Sequence, residues 1–393
     1  MRPTSEGGIR NNMGNSYDIW LSAAVNSAAH IEHLLQKYGD AEAVFHANER
    51  EIADDPGLTP SEKAFLTSSE KEENRQSQYD YAVRNDIRMI LRNEEGYPKR
   101  FDCLSDRPYG VFVQGKLPGE DVPAIAVVGS RRASTYGTNV AEHFASVLAA
   151  AGIVIISGLA MGIDGISHNS ALQAGGMTVG VLGSGIGVPY PKENWKLYQA
   201  MRDRGAILSE YGPGVPPLKQ NFPHRNRLIS ALSDGILVVE AAERSGTLIT
   251  VDRGLEQGKD VFAVPGRIGD RNSEGCLNLI RQGAFLVTEP DQILEELASN
   301  YPLLRKHCSQ FEQLSFDFSD GLRDFNENSE NLILGIARDE KVVYDLCRLD
   351  ARHFDELLCL SGLTVERLSE VLYSLQHKGF VRQAVPNYYS RKG

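Results

Sequence analysis

The sequence predicts an α/β fold whose centre is an extended Rossmann-like, doubly wound, mainly parallel sheet, and two observations support this. Six short apolar segments rich in Val and Ile lie between residues 124 and 266. Amphipathic helical segments separate them, such as GTNVAEHFASVLAAAG at 137–152. Buried strands that alternate with helices form a parallel sheet covered on both faces. At 393 residues the chain is also long enough for further domains.

The N-terminal part of the chain has a different pattern. Residues 1–16 are polar and rich in Gly and Asn, and we expect a disordered tail there. In residues 17–96 the apolar side chains recur at intervals of three and four residues, which indicates a small helical module of the SAM-like type. Gly39 fits a helix C-cap, while Thr59 and Pro60 fit an N-cap and a first helical position.

The Rossmann-like domain is predicted over residues 97–300. A turn-rich segment with one short strand opens it, and six buried strands follow. These strands are AIAVVG (124–129), IVIISG (153–158), TVGVLG (178–183), AILSEY (206–211), GILVVEA (235–241) and DVFAVPG (260–266).

Two further regions follow the sheet. Residues 301–340 are predicted to be an acidic linker, because 309–340 alone hold eight acidic residues against two arginines. The linker could fold over a basic groove, which we state as a hypothesis. Residues 341–393 give three short helical patterns and then a two-stranded wing. With Gly362 in the turn and Thr364 as a cap, this order predicts a winged-helix module.

Composition limits the function classes. The formal net charge of −11 argues against non-specific coating of nucleic acid, although a local basic groove is compatible with it. The five cysteines are far apart and form no CxxC pair, so neither a zinc site nor a disulfide framework is predicted. No apolar run is long enough to span a membrane. We expect a cytoplasmic protein without metal or cofactor.

The glycine-rich GSGIG at 183–187 resembles half of a dinucleotide fingerprint. It runs into VPYP rather than into a helix, so the required context fails and an NAD site is not favoured. In VVGSRRAS, by contrast, a glycine, a hydroxyl and two guanidinium groups follow a strand at the edge where open α/β folds bind ligands. We favour a ligand site over a solvated loop for Gly129, Ser130, Arg131 and Arg132.

Asp164 and His168 share one helical face and could form an acid–base pair or half of a metal site. No third ligand is recognisable nearby, so a helix cap at Asp164 and an ordinary histidine are favoured.

Two further segments offer groups that bind anions and bases. Ser245, Gly246 and Thr247 stand where backbone amides at a helix start would point at an anion. The segment KQNFPHRNR adds arginines for phosphate, an asparagine for base edges and an aromatic for stacking. Its candidate residues are Lys219, Phe222, Arg225, Asn226 and Arg227. This mixture matches a single-stranded nucleic-acid groove better than a small-metabolite pocket.

The motifs GSRRAS, SGLAMGID, YPKENWKLY, SEYGPG, NFPHRNRLISALS, EAAERSGTLIT and VFAVPG occur here in the order seen in the DNA-processing protein A family (DprA/Smf), which the chain resembles over about 97–297. The resemblance implies single-stranded DNA binding without cleavage, protection of incoming DNA in natural transformation, and loading of RecA recombinase. It also implies a homodimer formed through the Rossmann domain. The residues that it marks for DNA are Arg131, Lys219, Phe222, Arg225, Asn226, Arg227, Ser245 and Gly246.

The chain departs from the family pattern in two places. Met161 stands where many members have arginine, which removes one positive charge from the groove rim. The N-terminal AAVNSAAH lacks a PGIG-like hairpin, so a helix-hairpin-helix contact with DNA is not carried over to this module, and the sequence leaves open whether the module touches DNA.

Two other functions are compatible with parts of the chain. A nucleotide phosphoribohydrolase of the lysine-decarboxylase-like group shares a related core, but Thr250 stands where its catalytic glutamate should be. A winged-helix transcription regulator is the other possibility. Residues 341–393 hold eight Lys/Arg and six Asp/Glu. A surplus of two positive charges is small for a module that binds duplex DNA, because such binding depends on many phosphate contacts.

Overall fold

The computed structural model describes residues 15–25, 27–188, 190–301, 338–348 and 351–391. The expected disordered tail and acidic linker fall almost entirely outside these described residues. No helix within the described ranges combines the length and apolar character needed to cross a membrane.

The N-terminal module is helical, as predicted. Its helices are α1 (Ser16–Ala24), α2 (Ala28–Tyr38), α3 (Ala41–His46), α4 (Glu49–Ala53), α5 (Pro60–Leu66) and α6 (Lys71–Arg84). The expected caps are confirmed: Thr59 forms a capping box with Glu62 ahead of α5, and Gly39 ends α2 at φ +104°. Trp20 and Phe45 pack edge to face with ring centres 4.9 Å apart in the module's core.

A nine-stranded sheet forms the centre of the described chain. Its strands are β1 (Arg88–Leu91), β2 (Gly110–Gly115), β3 (Ala124–Val128), β4 (Val154–Ser157), β5 (Thr178–Leu182), β6 (Ala206–Ser209), β7 (Gly235–Val238), β8 (Asp260–Ala263) and β9 (Phe285–Leu286). They lie in the order β1-β2-β6-β5-β4-β3-β7-β8-β9. Strands β3 to β9 run parallel, which confirms the six predicted strands and the mainly parallel sheet.

The sheet begins earlier in the chain than the sequence indicated. Strand β1 lies inside the range 17–96 that we expected to be helical, and it pairs antiparallel with β2, Met89 opposite Phe112. Both side chains are buried. Four residues carry too little periodicity to identify a strand, and it is the pairing with β2 that makes this segment one.

Helices cover both faces of the sheet. They are α7 (Thr135–Ala150), α8 (Ile163–Gln173), α9 (Trp195–Arg204), α10 (Asn221–Leu232), α11 (Gly246–Glu256), α12 (Glu274–Arg281) and α13 (Asp291–Ala298). Phe144 and Leu148 lie in one apolar layer, and Leu228 and Val251 lie in the other. The order of strands reverses between β3 and β7, the place where doubly wound sheets open a crevice at the carboxyl ends of their strands.

The C-terminal module has the predicted winged-helix order. Its elements are α14 (Arg338–Leu346), β10 (Arg352–His353), α15 (Phe354–Ser361), α16 (Val365–His377), β11 (Val381–Val385) and β12 (Tyr388–Arg391). Gly362 adopts the left-handed conformation after α15, at φ +67°. Thr364 caps α16 by accepting a hydrogen bond from the Arg367 backbone N–H.

Candidate nucleic-acid interface

The loop after β3 is fixed against two helix starts at the carboxyl edge of the sheet. The Thr247 hydroxyl, on α11, donates to the Gly129 carbonyl at 3.1 Å. The Ile163 N–H, at the start of α8, donates to the Ser130 carbonyl at 3.2 Å. Gly162 has φ +73°, and a Cβ there would lie 2.2 Å from the Ser130 oxygen, so this approach requires glycine. The loop that carries Arg131 is therefore rigidly placed.

Phe222 lies in the first turn of α10 as a half-buried ring. One side of the ring packs on Gly183, where an added Cβ would be 2.7 Å from the Phe222 Cδ1. The guanidinium carbons of Arg131 and Arg225 lie 5.9 and 6.0 Å from the ring centre. Backbone and cations thus hold the aromatic ring in place.

Tyr190 extends this aromatic surface, and sequence reasoning did not select it. Its ring centre is 5.4 Å from that of Phe222, with the planes inclined at 46°, and the residue is 46% exposed. The only sequence signal was an aromatic residue in the loop after β5, within the motif YPKENWKLY. Phe222 and Tyr190 together are called the aromatic platform below.

Exposed cations lie near the aromatic platform in the chain. Arg131, Arg132 and Lys219 are exposed, and they come from the loop after β3 and from the residues just before α10. Met161, where the family resemblance led us to expect arginine, is 45% exposed on the neighbouring loop. The structure therefore brings the predicted Arg131 next to the predicted aromatic residue, with Arg132 and Lys219 exposed beside them in the chain.

Arg225 does not occupy the exposed position that we expected for it. Its side chain is buried, and Nη1 donates to the Gly158 carbonyl at 2.9 Å and to the Val181 carbonyl. The buried Asp164 carboxylate accepts from the Gly158 N–H at 3.1 Å. Burial lowers the pKa of Arg225 to about 10, while Asp164 opposes this change, so the group stays charged at neutral pH. Arg225 joins the ends of β4 and β5 beneath the platform.

Arg227 is also internal, in contrast to the sequence-based expectation. Nη1 and Nη2 each donate to one oxygen of Glu210 at 2.9 Å, and Nε donates to Asp106 at 2.8 Å. Burial disfavours its charge, but these two carboxylates raise the pKa of Arg227 above its ordinary value. Arg227 fastens α10 to the end of β6, and the motif alone could not separate this role from phosphate binding.

The remaining predicted site residues lie where α10 meets α11. The Asn226 side chain is half-buried, accepts from Arg225 Nε at 3.2 Å and reaches the Gly246 carbonyl at 3.5 Å. The Ser245 hydroxyl is buried without a partner among the described residues, and Gly246 has open space around its Cα. The first amides of α11 thus lie beside Asn226, at the margin of the same edge.

His168 is a packed histidine, as the favoured interpretation held. It is fully buried, and its Nδ1 lies 2.6 Å from the Thr178 hydroxyl. Burial lowers the pKa of His168 to about 3, so the ring is neutral at physiological pH. Asp164 accepts bonds from the loop amides of Gly158 and Ala160 rather than capping α8. Within the described ranges no group of three His, Cys, Asp or Glu residues could hold a metal ion.

Glu240, which follows β7, occupies the place at the strand-order reversal where Rossmann folds bind phosphate. Its carboxylate accepts from the Ser134 N–H at 3.0 Å and from the Ser134 hydroxyl. A Cβ on Gly137, in the first turn of α7, would lie 2.3 Å from the Glu240 carboxyl carbon. A built-in negative charge at this helix start repels a dinucleotide phosphate. Nothing in the sequence pattern distinguished Glu240.

Comparison with known proteins identifies the family of the chain. Residues 88–298 match the family described as DNA recombination-mediator protein A. Protein Smf of Escherichia coli K12 is 48% identical over 210 residues, which are 53% of this chain and 56% of the relative. The chain therefore spans only a little more than half the length of that relative.

Two solved structures are similar as well. DNA processing protein A of Streptococcus pneumoniae has a TM-score of 0.56 at 34% identity, covering 72% of this chain and 98% of its own. DNA processing protein A of Helicobacter pylori, whose structure concerns its single-stranded DNA binding mode, has a TM-score of 0.50 at 31% identity, covering 55% and 97%. The chain belongs to the DNA recombination-mediator protein A family.

Proposed function

We propose that this chain is a non-catalytic, cytoplasmic protein that binds single-stranded DNA, protects incoming strands and loads RecA recombinase onto them in natural transformation and recombination. One observation carries the proposal: an aromatic platform with exposed cations nearby lies at the carboxyl edge of the sheet. The relative from H. pylori, which is described as binding single-stranded DNA, supports it.

The proposed contacts follow from exposure. Arg131, Arg132 and Lys219 bind phosphates, and Phe222 stacks on a base, since every base offers a π-face. At the margin, the Ser130 hydroxyl, the exposed Gly246 backbone and the Asn226 amide contribute hydrogen bonds. Gly129 and Thr247 position this margin through the bond between them, and Ser245 does so with its buried hydroxyl just before α11. Arg225 and Arg227 act through their neighbours, by fixing the platform and α10 in place.

Salt dependence and a stacking variant test the DNA site. Replacing Phe222 with Ala should weaken binding of a single-stranded oligonucleotide by roughly 1–3 kcal/mol, the size of one base–aromatic stack. If about four phosphates are neutralised, log K should fall with log salt at a slope of roughly −3, and Arg131→Ala should make it shallower by about 0.7. Fluorescence anisotropy at several salt concentrations measures both quantities. A flat salt response together with unchanged affinity of Phe222→Ala would exclude this site.

The recombination role and the absence of catalysis are tested separately. The purified protein should accelerate RecA filament formation on strands already coated with single-strand-binding protein, measured by RecA-dependent ATP hydrolysis. It should release no free base from nucleoside monophosphates, because Thr250, which takes the place of the hydrolase glutamate, is buried and carries no carboxylate. Base release would favour the phosphoribohydrolase alternative instead.

We also propose that the chain forms a homodimer through the Rossmann domain. Strand β9 lies at the edge of the sheet, and its two residues, Phe285 and Leu286, are 46% and 48% exposed. Leu255 on α11, near this edge, is 57% exposed. An apolar edge strand is a template for pairing, and a second copy of the chain covers it without leaving open backbone groups.

A further inference from the structure

A cleft lies between the N-terminal module and the Rossmann domain, apart from the aromatic platform. Its volume is about 520 Å³, within the range of about 300–1,000 Å³ that small-molecule sites occupy. Helix α6 contributes one wall, and Val188 with the segment Pro213–Leu218 contributes most of the other. The second wall is mainly apolar, since prolines, valines and a leucine make up most of it.

The wall formed by α6 is polar but uncharged. Its lining residues are Asn74, Ser77, Gln78 and Tyr81, which are spaced three, four and seven apart and so share one helix face. The charged residues of the same helix do not line the cleft; they are Lys71, Glu72, Glu73, Arg75, Asp80 and Arg84. A cleft with amides and hydroxyls but without lysine or arginine suits a neutral, planar group better than a phosphate.

Gln78 supplies a second, independent observation. Its Oε1 is buried and has no hydrogen-bond partner among the described residues. A buried amide oxygen without a donor destabilises the fold unless another molecule satisfies it. The edges of nucleobases carry the N–H donors that such an oxygen accepts.

The cleft adjoins the aromatic platform through the chain itself. Leu218, which lines the cleft and is 38% exposed, immediately precedes Lys219. Val188 lines the cleft and stands two residues before Tyr190, so the two Cα atoms are within about 7 Å of each other. The cleft therefore lies within reach of a strand that stacks on the platform.

We propose that the cleft receives one nucleobase of the bound strand, next to the bases stacked on the platform. The apolar wall contacts the ring face, the Gln78 side chain turns so that its unpartnered Oε1 accepts a hydrogen bond from the base edge, and the N-terminal module becomes part of the DNA site. This inference rests on the proposed single-stranded DNA function, and it extends the binding site beyond the Rossmann domain.

The test uses the chain of 393 residues and single-stranded oligonucleotides of about 12 nucleotides, within the usual site sizes. Gln78→Leu keeps the shape of the side chain and removes the acceptor, and it should weaken binding about three- to tenfold, the size of one hydrogen bond. Ser77→Trp fills the cleft and should weaken binding at least as much. Gln76→Leu is the matched control, because Gln76 is exposed on the same helix outside the cleft and, among the described residues, its side chain bonds Asp80.

Oligonucleotides with one abasic site, moved along the strand, locate the base. In the unchanged protein, one position next to the stacked bases should lose affinity when its base is absent, and Ser77→Trp should abolish that sensitivity. Thermal melting shows whether Ser77→Trp still folds; if it does not, Gln78→Leu decides alone. Unchanged binding by the folded cleft variants, while Phe222→Ala binds weakly, overturns the cleft proposal and leaves the DNA site standing. Unchanged binding by Phe222→Ala as well overturns both.

Discussion

Two arginines of one motif show how a residue's neighbours decide its role. Arg225 and Arg227 stand two positions apart on α10, and both were expected to line the groove. Each is 4% exposed and makes its hydrogen bonds to the protein itself. Arg131 is exposed beside Phe222 and makes no such internal bond among the described residues. The motif therefore combines part of the proposed binding surface with the internal bonds that hold it in place.

Arg227→Ala should lower the free energy of unfolding by about 3–5 kcal/mol, because Glu210 would be left buried without its bidentate partner. Denaturant titration measures this value. Arg132→Ala, at an exposed site, should change stability by about 0.5 kcal/mol or less but weaken DNA binding. Equal stability of Arg227→Ala and the unchanged protein would show that the buried ion pair does not fasten α10.

His168 should make stability fall in mild acid. The pKa of His168 is about 3 in the folded protein and near 6.5 in the unfolded chain. The contribution of the neutral ring to the free energy of unfolding is therefore fully present above about pH 6.5, and it is lost as the pH falls below that value. The expected slope is about 1.4 kcal/mol per pH unit. Burial raises the pKa of Asp164, so at lower pH this group has the opposite effect and increases the free energy of unfolding as the pH falls.

Denaturant titrations between pH 6.5 and 5 measure this slope before most carboxylates titrate. The matched variant is His168→Gln, which has no group that titrates in that window and should give a flatter profile. If both proteins showed the same slope, the acid sensitivity would come from another group, for example His224, whose pKa burial also lowers.

At the scale of elements, the end of β5 and the start of α10 form one unit. Strand β5 runs into Gly183, and the ring at the start of α10 lies directly on that glycine. Arg225 reaches back from α10 to the Val181 carbonyl in the same strand. The platform is thus held by a strand and a helix that are separated in sequence by β6, which limits how far the ring can move.

Gly183→Ala should weaken single-stranded DNA binding, because a Cβ 2.7 Å from the Phe222 Cδ1 displaces the ring. The double variant with Phe222→Ala should bind no more weakly than Phe222→Ala alone, since the two changes act on one contact. Anisotropy titrations of the unchanged protein, the two single variants and the double variant give the coupling free energy between the two substitutions. Additive losses would mean that Gly183 affects DNA by another route.

At the scale of the whole molecule, local arrangement outweighs total charge. The chain carries a net charge of −11, yet Arg131, Arg132 and Lys219 are exposed around one aromatic platform. A local field of this kind attracts a polyanion even when the distant surface is acidic. Dimer formation would place two such platforms on one particle, which favours binding of a long strand by raising the effective concentration of the second site.

The apolar edge at β9 should control the association state. Changing Leu255 and Leu286 to Glu should convert a dimer into a monomer, because charges on this edge oppose both burial and strand pairing. Sedimentation equilibrium measures the mass. Binding of a short oligonucleotide per chain should stay the same, since neither residue touches the platform. If the protein without these substitutions is a monomer at micromolar concentration, the dimer proposal is contradicted.

The sequence by itself determined the six parallel strands, the caps formed by Gly39, Thr59 and Thr364, and the winged-helix order, because periodicity and capping depend on residues close together in the chain. It also marked Arg131, Lys219 and Phe222 as candidates, since their chemistry matches a nucleic acid. Only the tertiary structure decided the pairing of β1, the buried state of Arg225 and Arg227, and the positions of Glu240 and Tyr190. Each of these depends on a contact distant in sequence, such as Arg227 with Asp106, 121 residues away, and local patterns contain no information about such contacts.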